Sequence, residues 1–159
     1  MDKTLSEILS IQLQLLEELY RLLERETREL GDMNLDGMAE VNRLREGLTE
    51  RIEAHTELLR REISRAALDL GLAADATLGA VVAKTTQKEI PRLYRELNAT
   101  ARRVQDRAAM NREIAERFAA TATTTLSFLT RLINQSNVYG ASGGYQQRTS
   151  GSVMINKEA

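Results

Sequence analysis

The chain contains no cysteine and no tryptophan, a single proline and a single histidine, and only 4 % aromatic residues. Without cysteine there are no disulfides, no thiolate metal sites and no cysteine nucleophile, which fits a reducing compartment. One histidine, His55, cannot supply the paired Glu-x-x-His motifs of a di-metal bundle, and the residue three before it is Ile52. One proline, Pro91, leaves long stretches free to be helical. There is no excess of charge either: 22 Lys and Arg against 23 Asp and Glu give a net charge of -1. Such a balance offers no field to draw in a phosphate backbone or an acidic membrane surface, so nucleic acid is not an expected partner. No apolar run reaches membrane-spanning length, and Met1-Asp2-Lys3 leads into an amphipathic pattern rather than a signal peptide. Cytoplasmic residence without membrane insertion is the expectation.

Gly-rich phosphate loops and a G-x-S-x-G elbow are also missing, and Gly140, Gly143 and Gly144 precede no helix that could hold phosphate. The many carboxylates lie between apolar positions at helical spacing, on solvated faces, with nothing to desolvate a pair into sharing a proton. We therefore expect no enzyme activity, no cofactor and no metal.

What the 159 residues do contain is helical periodicity. Leu5, Ile8, Leu9, Leu15, Leu16, Leu19, Leu22, Leu23 and Leu30 mark a first helix, with Thr4 or Ser6 as its N-cap and Gly31-Asp32 as a left-handed-capable stop. Asn34 or Asp36 then caps a second helix within a few residues, so the two must be antiparallel. Its stripe runs Val41, Leu44, Leu48, Ile52, His55, Leu59, Ile63, Ala66 and Leu70, and Gly71 ends it. His55 lies on that stripe, where a lone imidazole packs at a helix interface. Asp75 is a candidate N-cap for a short helix through Leu78, Val81 and Val82.

A last, long helix follows from Ile90, with Pro91 in its first turn and a near-heptad stripe through Leu93, Leu97, Ala101, Val104, Ala108, Asn111, Ala115, Phe118, Ala122, Leu126, Leu129 and Ile133. At 1.5 Å per residue it would run roughly 65 Å against about 40 Å for the first helix. The expected fold class is all-α: an elongated antiparallel helical bundle, with a helical hairpin, a short helix and one long C-terminal helix over residues 1–135. Where a stripe outruns its internal partners, something external is invited to cover it. Asn111 interrupts the stripe as a polar residue that fixes register. Residues 136–159 are rich in Ser, Gly, Asn and Gln, too polar to offset their chain entropy, and are expected to form a flexible tail that orders on a partner. Its apolar anchors are Val138, Tyr139, Tyr145 and the run Val153-Met154-Ile155.

This layout, with Tyr139-Gly140, then Gly143, and Ile155 and Ala159 after a polar spacer, resembles the FlgN family of flagellar export chaperones. Asn111 falls where the last helix of that family often carries Asn, while Ala141-Ser142 stand between the glycines where Pro or Asp is usual. The resemblance implies a cytosolic chaperone of type III flagellar export. Such a protein covers the terminal helices of hook-associated, hook–filament junction proteins of the FlgK-like and FlgL-like kind, prevents their premature assembly and delivers them to the export apparatus. The client surface would then comprise Phe118, Ala122, Leu126, Leu129, Ile133, Val138, Tyr139, Gly140, Tyr145, Val153, Met154 and Ile155. Two other readings stay open: a coiled-coil adaptor or signalling bundle acting by homodimerisation, and a secretion chaperone for other filament subunits. The free protein would be a monomer or a homodimer.

Overall fold

The computed structural model describes residues 4–136, which form four helices: α1 (Leu5–Gly31), α2 (Leu35–Asp69), α3 (Leu78–Lys84) and α4 (Glu89–Ser136). No strand occurs among the described residues. Thr4 starts α1 through a capping box: its Oγ1 accepts the Glu7 N–H at 3.4 Å, and the Glu7 carboxylate accepts the Thr4 N–H at 2.8 Å. Two orphan donors of the first turn are thereby satisfied by one pair of residues.

The hairpin between α1 and α2 turns within three residues. Asn34 donates its N–H to the Glu29 carbonyl at 2.9 Å and Met33 donates to Leu30 at 3.2 Å, the paired bonds of a Schellman closure. The left-handed residue this closure requires is Met33, at φ 52°, rather than Gly31, which remains helical. The position is dictated by the two carbonyls being capped, so the glycine that looks suited to it lies too early in the chain. Asn34 then caps α2, its Oδ1 accepting the Gly37 N–H at 3.1 Å. The far end of α2 closes in the same way, with Leu72 donating to Ala67 at 2.8 Å and Gly71 at φ 68° in the left-handed seat. At α3 the cap is Thr77, whose Oγ1 accepts the Ala80 N–H at 3.2 Å, and not Asp75. A cap must sit three residues before the amide it accepts, and Thr77 meets that spacing for the turn that forms.

Side-chain pairs give the helix directions. Glu18 meets Arg51, Glu26 meets Arg45 and Arg25 meets Glu40, so numbers rising along α1 fall along α2. Tyr20 meets Arg103 and Arg107, and Thr27 meets Asn111, so α1 and this part of α4 rise together. Within this bundle α2 is antiparallel to both its long neighbours.

The described residues divide into two compact units, with the boundary between Ala115 and Glu116, α4 contributing to each. In the first unit, Leu5, Ile8 and Leu9 of α1, Leu59 and Ala67 of α2, Val81 of α3 and Ile90 and Leu93 of α4 make one core cluster. Val81 is 1 % exposed, which explains how a helix of seven residues is held: its one fully buried side chain closes the core. At about 1.5–3 kcal/mol per fully buried aliphatic side chain, this burial outweighs helix-propensity differences below about 0.7 kcal/mol per residue. Further along α1 and α2, Leu15, Leu23, Leu30, Val41 and Leu48 are buried as well. None of the described helices is long and apolar enough to cross a membrane.

Candidate interaction surface on the last helix

The burial that begins α4 does not continue along it. Ile90 and Leu93 are buried, Leu97, Ala101 and Val104 half-buried, and Ala108 exposed, before Asn111 returns to 3 % exposure. From Glu116 to Asn134 every side chain is exposed.

That second stretch is apolar where it is exposed. Phe118 is 37 % exposed, while Leu126, Phe128 and Ile133 are each 61 % exposed, with Leu129 and Leu132 close behind. Ala122 is exposed on the same side. At 100° per residue these positions occupy a helical arc of roughly 160°, wider than a coiled-coil seam. The heptad reading of the sequence found Phe118, Ala122, Leu126, Leu129 and Ile133, and missed Phe128 and Leu132. Those two are separated by one helical turn and widen the face by a second row, a signal carried by their i, i+4 spacing. Between Phe118 and Thr130 there is no charged residue.

The threonines of this stretch add to its character. Thr121, Thr123, Thr124 and Thr130 donate their hydroxyl protons to the carbonyls of Arg117, Ala119, Ala120 and Leu126, at 2.9–3.1 Å. With the protons committed to the helix itself, these side chains offer a partner methyl groups and hydroxyl lone pairs. Threonine is at the same time a poor helix former, at roughly 0.5 kcal/mol or more behind Ala per residue. The stretch has a wide apolar face on a helix with little intrinsic stability, and covering the face would stabilise both.

Asn111 stands five residues before Glu116, where this region begins, and ties α4 to α1. Its Nδ2 donates to the Leu23 carbonyl at 2.9 Å and to Glu26 Oε2 at 2.7 Å, and its Oδ1 accepts from Thr27 Oγ1 at 2.6 Å. Both donors are used, which removes most of the cost of burying an amide. Glu26 uses its other oxygen to hold Arg45 of α2 at 2.8 Å, so one carboxylate links three helices. One turn before Asn111, Arg107 donates to Tyr20 Oη at 3.2 Å, and a further turn back the Arg103 guanidinium lies 4.1 Å above the Tyr20 ring.

His55 is buried at the interface of α1 and α2, where its Nδ1 donates to Gln12 Oε1 at 2.7 Å. Gln12 Nε2 approaches Thr56 Oγ1 at 3.5 Å, and Thr56 donates to the Ile52 carbonyl at 2.8 Å. The partner at Nδ1 is the Gln12 amide, which fixes the imidazole at the interface of the two helices. Among the described residues no group of three His, Cys, Asp or Glu side chains is placed to hold a metal ion. The anchors Val138, Tyr139, Gly140, Tyr145, Val153, Met154 and Ile155 lie outside the described residues.

The sequence model of one family, described as FlgN protein, matches residues 1–147. Neither a curated protein nor a solved structure matches the chain. The family match covers the first compact unit and reaches into the second, taking in Asn111 and the whole of the apolar face. The chain therefore belongs to the FlgN family, and with it to the flagellar export chaperones in the broad sense.

Proposed function

We propose that this protein is a cytosolic chaperone of type III flagellar export that binds hook-associated proteins of the FlgK-like and FlgL-like kind, keeps them from assembling early and delivers them to the export apparatus. The observation that carries this reading is the exposed apolar arc of α4 from Phe118 to Ile133. An amphipathic helix at a client's terminus would lay its own apolar side against Leu126, Phe128, Leu129 and Leu132. Each such side chain contributes about 1.5–3 kcal/mol when fully covered, and ordering both partners returns part of that. Association would be firm enough to shield a client and weak enough to release it.

The anchors in residues 136–159 would add contacts that form only with the client. Truncation after Gln135 tests their share: affinity for a hook-associated protein should fall, and equal affinity in the shortened chain would assign binding to the helix alone. Phe118, Ala122, Thr125, Leu129 and Leu132 also follow strict steps of four and three, the spacing that would let two copies of α4 pair. Light scattering separates these readings, since a homodimer through this face would be lost when a client binds.

A further inference from the structure

A second surface lies in the first compact unit, on the side of the hairpin formed by α1 and α2. It is a groove of about 570 Å³ with leucines at its floor, Leu22, Leu44 and Leu48, of which Leu44 is 39 % exposed. Its walls are basic. Arg21, Arg25 and Arg28 come from α1 at i, i+4 and i+7, and Arg43 and Arg51 from α2 at i and i+8, against a single acidic side chain, Glu18. In a chain of net charge -1 this is a local concentration of one sign.

Two of the five arginines are neutralised within the fold. Arg25 pairs with Glu40 at 2.7 Å and Glu29 at 3.4 Å, and Arg51 with Glu18 at 3.0 Å. Arg21 reaches Glu17 only at 3.9 Å, with its side chain 76 % exposed. Arg28 and Arg43 make no direct ion pair within 4 Å among the described residues, although Arg43 adds a weaker Coulombic attraction to Glu40, whose carboxylate already holds Arg25. Arg28 also suits the carbonyl end of α1, but Arg43 and Arg21 have no such local reason.

The position between Arg43 and Arg51 on the same face of α2 is Gly47. Glycine is among the least favourable residues for a helix interior, and here no packing requires it, because a Cβ at Gly47 would meet nothing within 4 Å. It leaves a notch in the wall of the groove, the feature that lets a second backbone approach a helix closely.

We infer that the arginine-lined groove between α1 and α2 docks an acidic amphipathic helix of a partner protein, its apolar side chains on Leu22, Leu44 and Leu48 and its carboxylates on Arg21, Arg28 and Arg43. Arginine on both walls matches carboxylates flanking an apolar stripe, and the notch at Gly47 matches a helical backbone. Residues 137–159 do not fit this role, since they contain Arg148 and Lys157 against one acid, Glu158. The groove is built wholly from residues of the first compact unit and shares none with the α4 face assigned to the client, so it provides a contact for a different partner.

The test uses the full chain and a helical peptide of about 18 residues carrying a leucine stripe flanked by glutamates, with a scrambled peptide and a Glu-to-Lys peptide as controls. Amide shifts on titration should concentrate in residues 21–28 and 43–51. Affinity by fluorescence anisotropy should weaken about tenfold or more in Arg28→Glu/Arg43→Glu and in Gly47→Met, and fall with added salt. Gly47→Met should melt no lower than the parent chain, which separates a filled notch from a damaged fold. The proposal is overturned if the acidic peptide does not bind, if the scrambled or Lys peptide binds equally well, if the substitutions leave affinity unchanged, or if the shifts map to α4 beyond residue 115.

Discussion

Glu26 Oε2 accepts a hydrogen bond from Asn111 Nδ2 at 2.7 Å while the other oxygen of the same carboxylate holds Arg45 at 2.8 Å. This relationship fixes the register of α4 on the hairpin. Sliding α4 by one residue would carry the amide away from the Leu23 carbonyl, Glu26 and Thr27 together, leaving a buried amide and a half-buried hydroxyl without their partners.

Asn111→Ala is expected to lower unfolding free energy by about 2–3 kcal/mol, because one of the lost bonds goes to a charged acceptor. Asn111→Asp should cost more at neutral pH, since it sets a second carboxylate beside Glu26 in place of the donor. Mutual repulsion raises carboxyl pKa values in the folded variant, so the folded state binds more protons than the unfolded one and stability relative to the parent recovers as pH falls. Urea unfolding of both variants at pH 7 and near pH 4 measures this. A constant gap between Asp and Ala across pH would contradict it.

Glu40 is expected to titrate below the ordinary carboxylate range. Its hydrogen bond from Arg25, and then the Coulombic attraction of the same guanidinium, favour the charged form. With the folded value depressed, the associated stability is present above the ordinary glutamate pKa and disappears as pH falls through the folded value. Carboxyl-carbon NMR of Glu40 should show the low midpoint, and Arg25→Ala should raise it towards the ordinary value, with the weaker attraction of Arg43 remaining. An unchanged midpoint would contradict the assignment.

Two glycines of α2 should respond oppositely to alanine. At Gly47 the added methyl meets open space, and Gly47→Ala should stabilise by about 0.5–1 kcal/mol. At Gly37 the methyl would collide with the Glu29 carboxylate and the Asn34 amide, which are bonded to each other at 2.7 Å beside the cap of α2. Gly37→Ala should therefore bring no gain, or a loss of about 0.5–1 kcal/mol, despite alanine's better propensity. Thermal melts of the two variants side by side read the difference.

Met33 holds a left-handed conformation that costs an L-residue roughly 1–2 kcal/mol, with its side chain largely exposed. Met33→Gly should recover about 0.5–1 kcal/mol after the extra freedom glycine gives the unfolded chain. Met33→Val, branched at Cβ, should destabilise, and equal melting of the two variants would contradict the strain.

Much of this architecture is legible in the residues. Periodicity located all four helices, Gly71 marked the end of α2, Asn34 or Asp36 its start, of which Asn34 is the cap, and Asn111 stood out as the one polar residue in an apolar stripe. What was not legible depended on geometry beyond the local chain. Met33 takes the left-handed seat because the carbonyls of Glu29 and Leu30 set its place, overriding the preference of Gly31. Thr77 caps α3 although Asp75 has the higher cap propensity, because the turn begins after Thr77. Phe128 and Leu132 escape a heptad count, since a face wider than a seam adds rows that a single stripe does not predict. The arginine groove was invisible because its members come from two helices, and along each of them they read as ordinary solvated charge.

Titration calorimetry against a hook-associated protein, with and without that protein's terminal helical segment, tests the central claim most directly, using the full chain and its Leu126→Ser/Leu129→Ser variant. Binding should be submicromolar, on the order of -8 kcal/mol or stronger, lost on removal of the terminal segment and weakened about tenfold or more by the two serines, with helicity by circular dichroism nearly unchanged. Binding that survives both changes, or no binding to either form of the client, would contradict it.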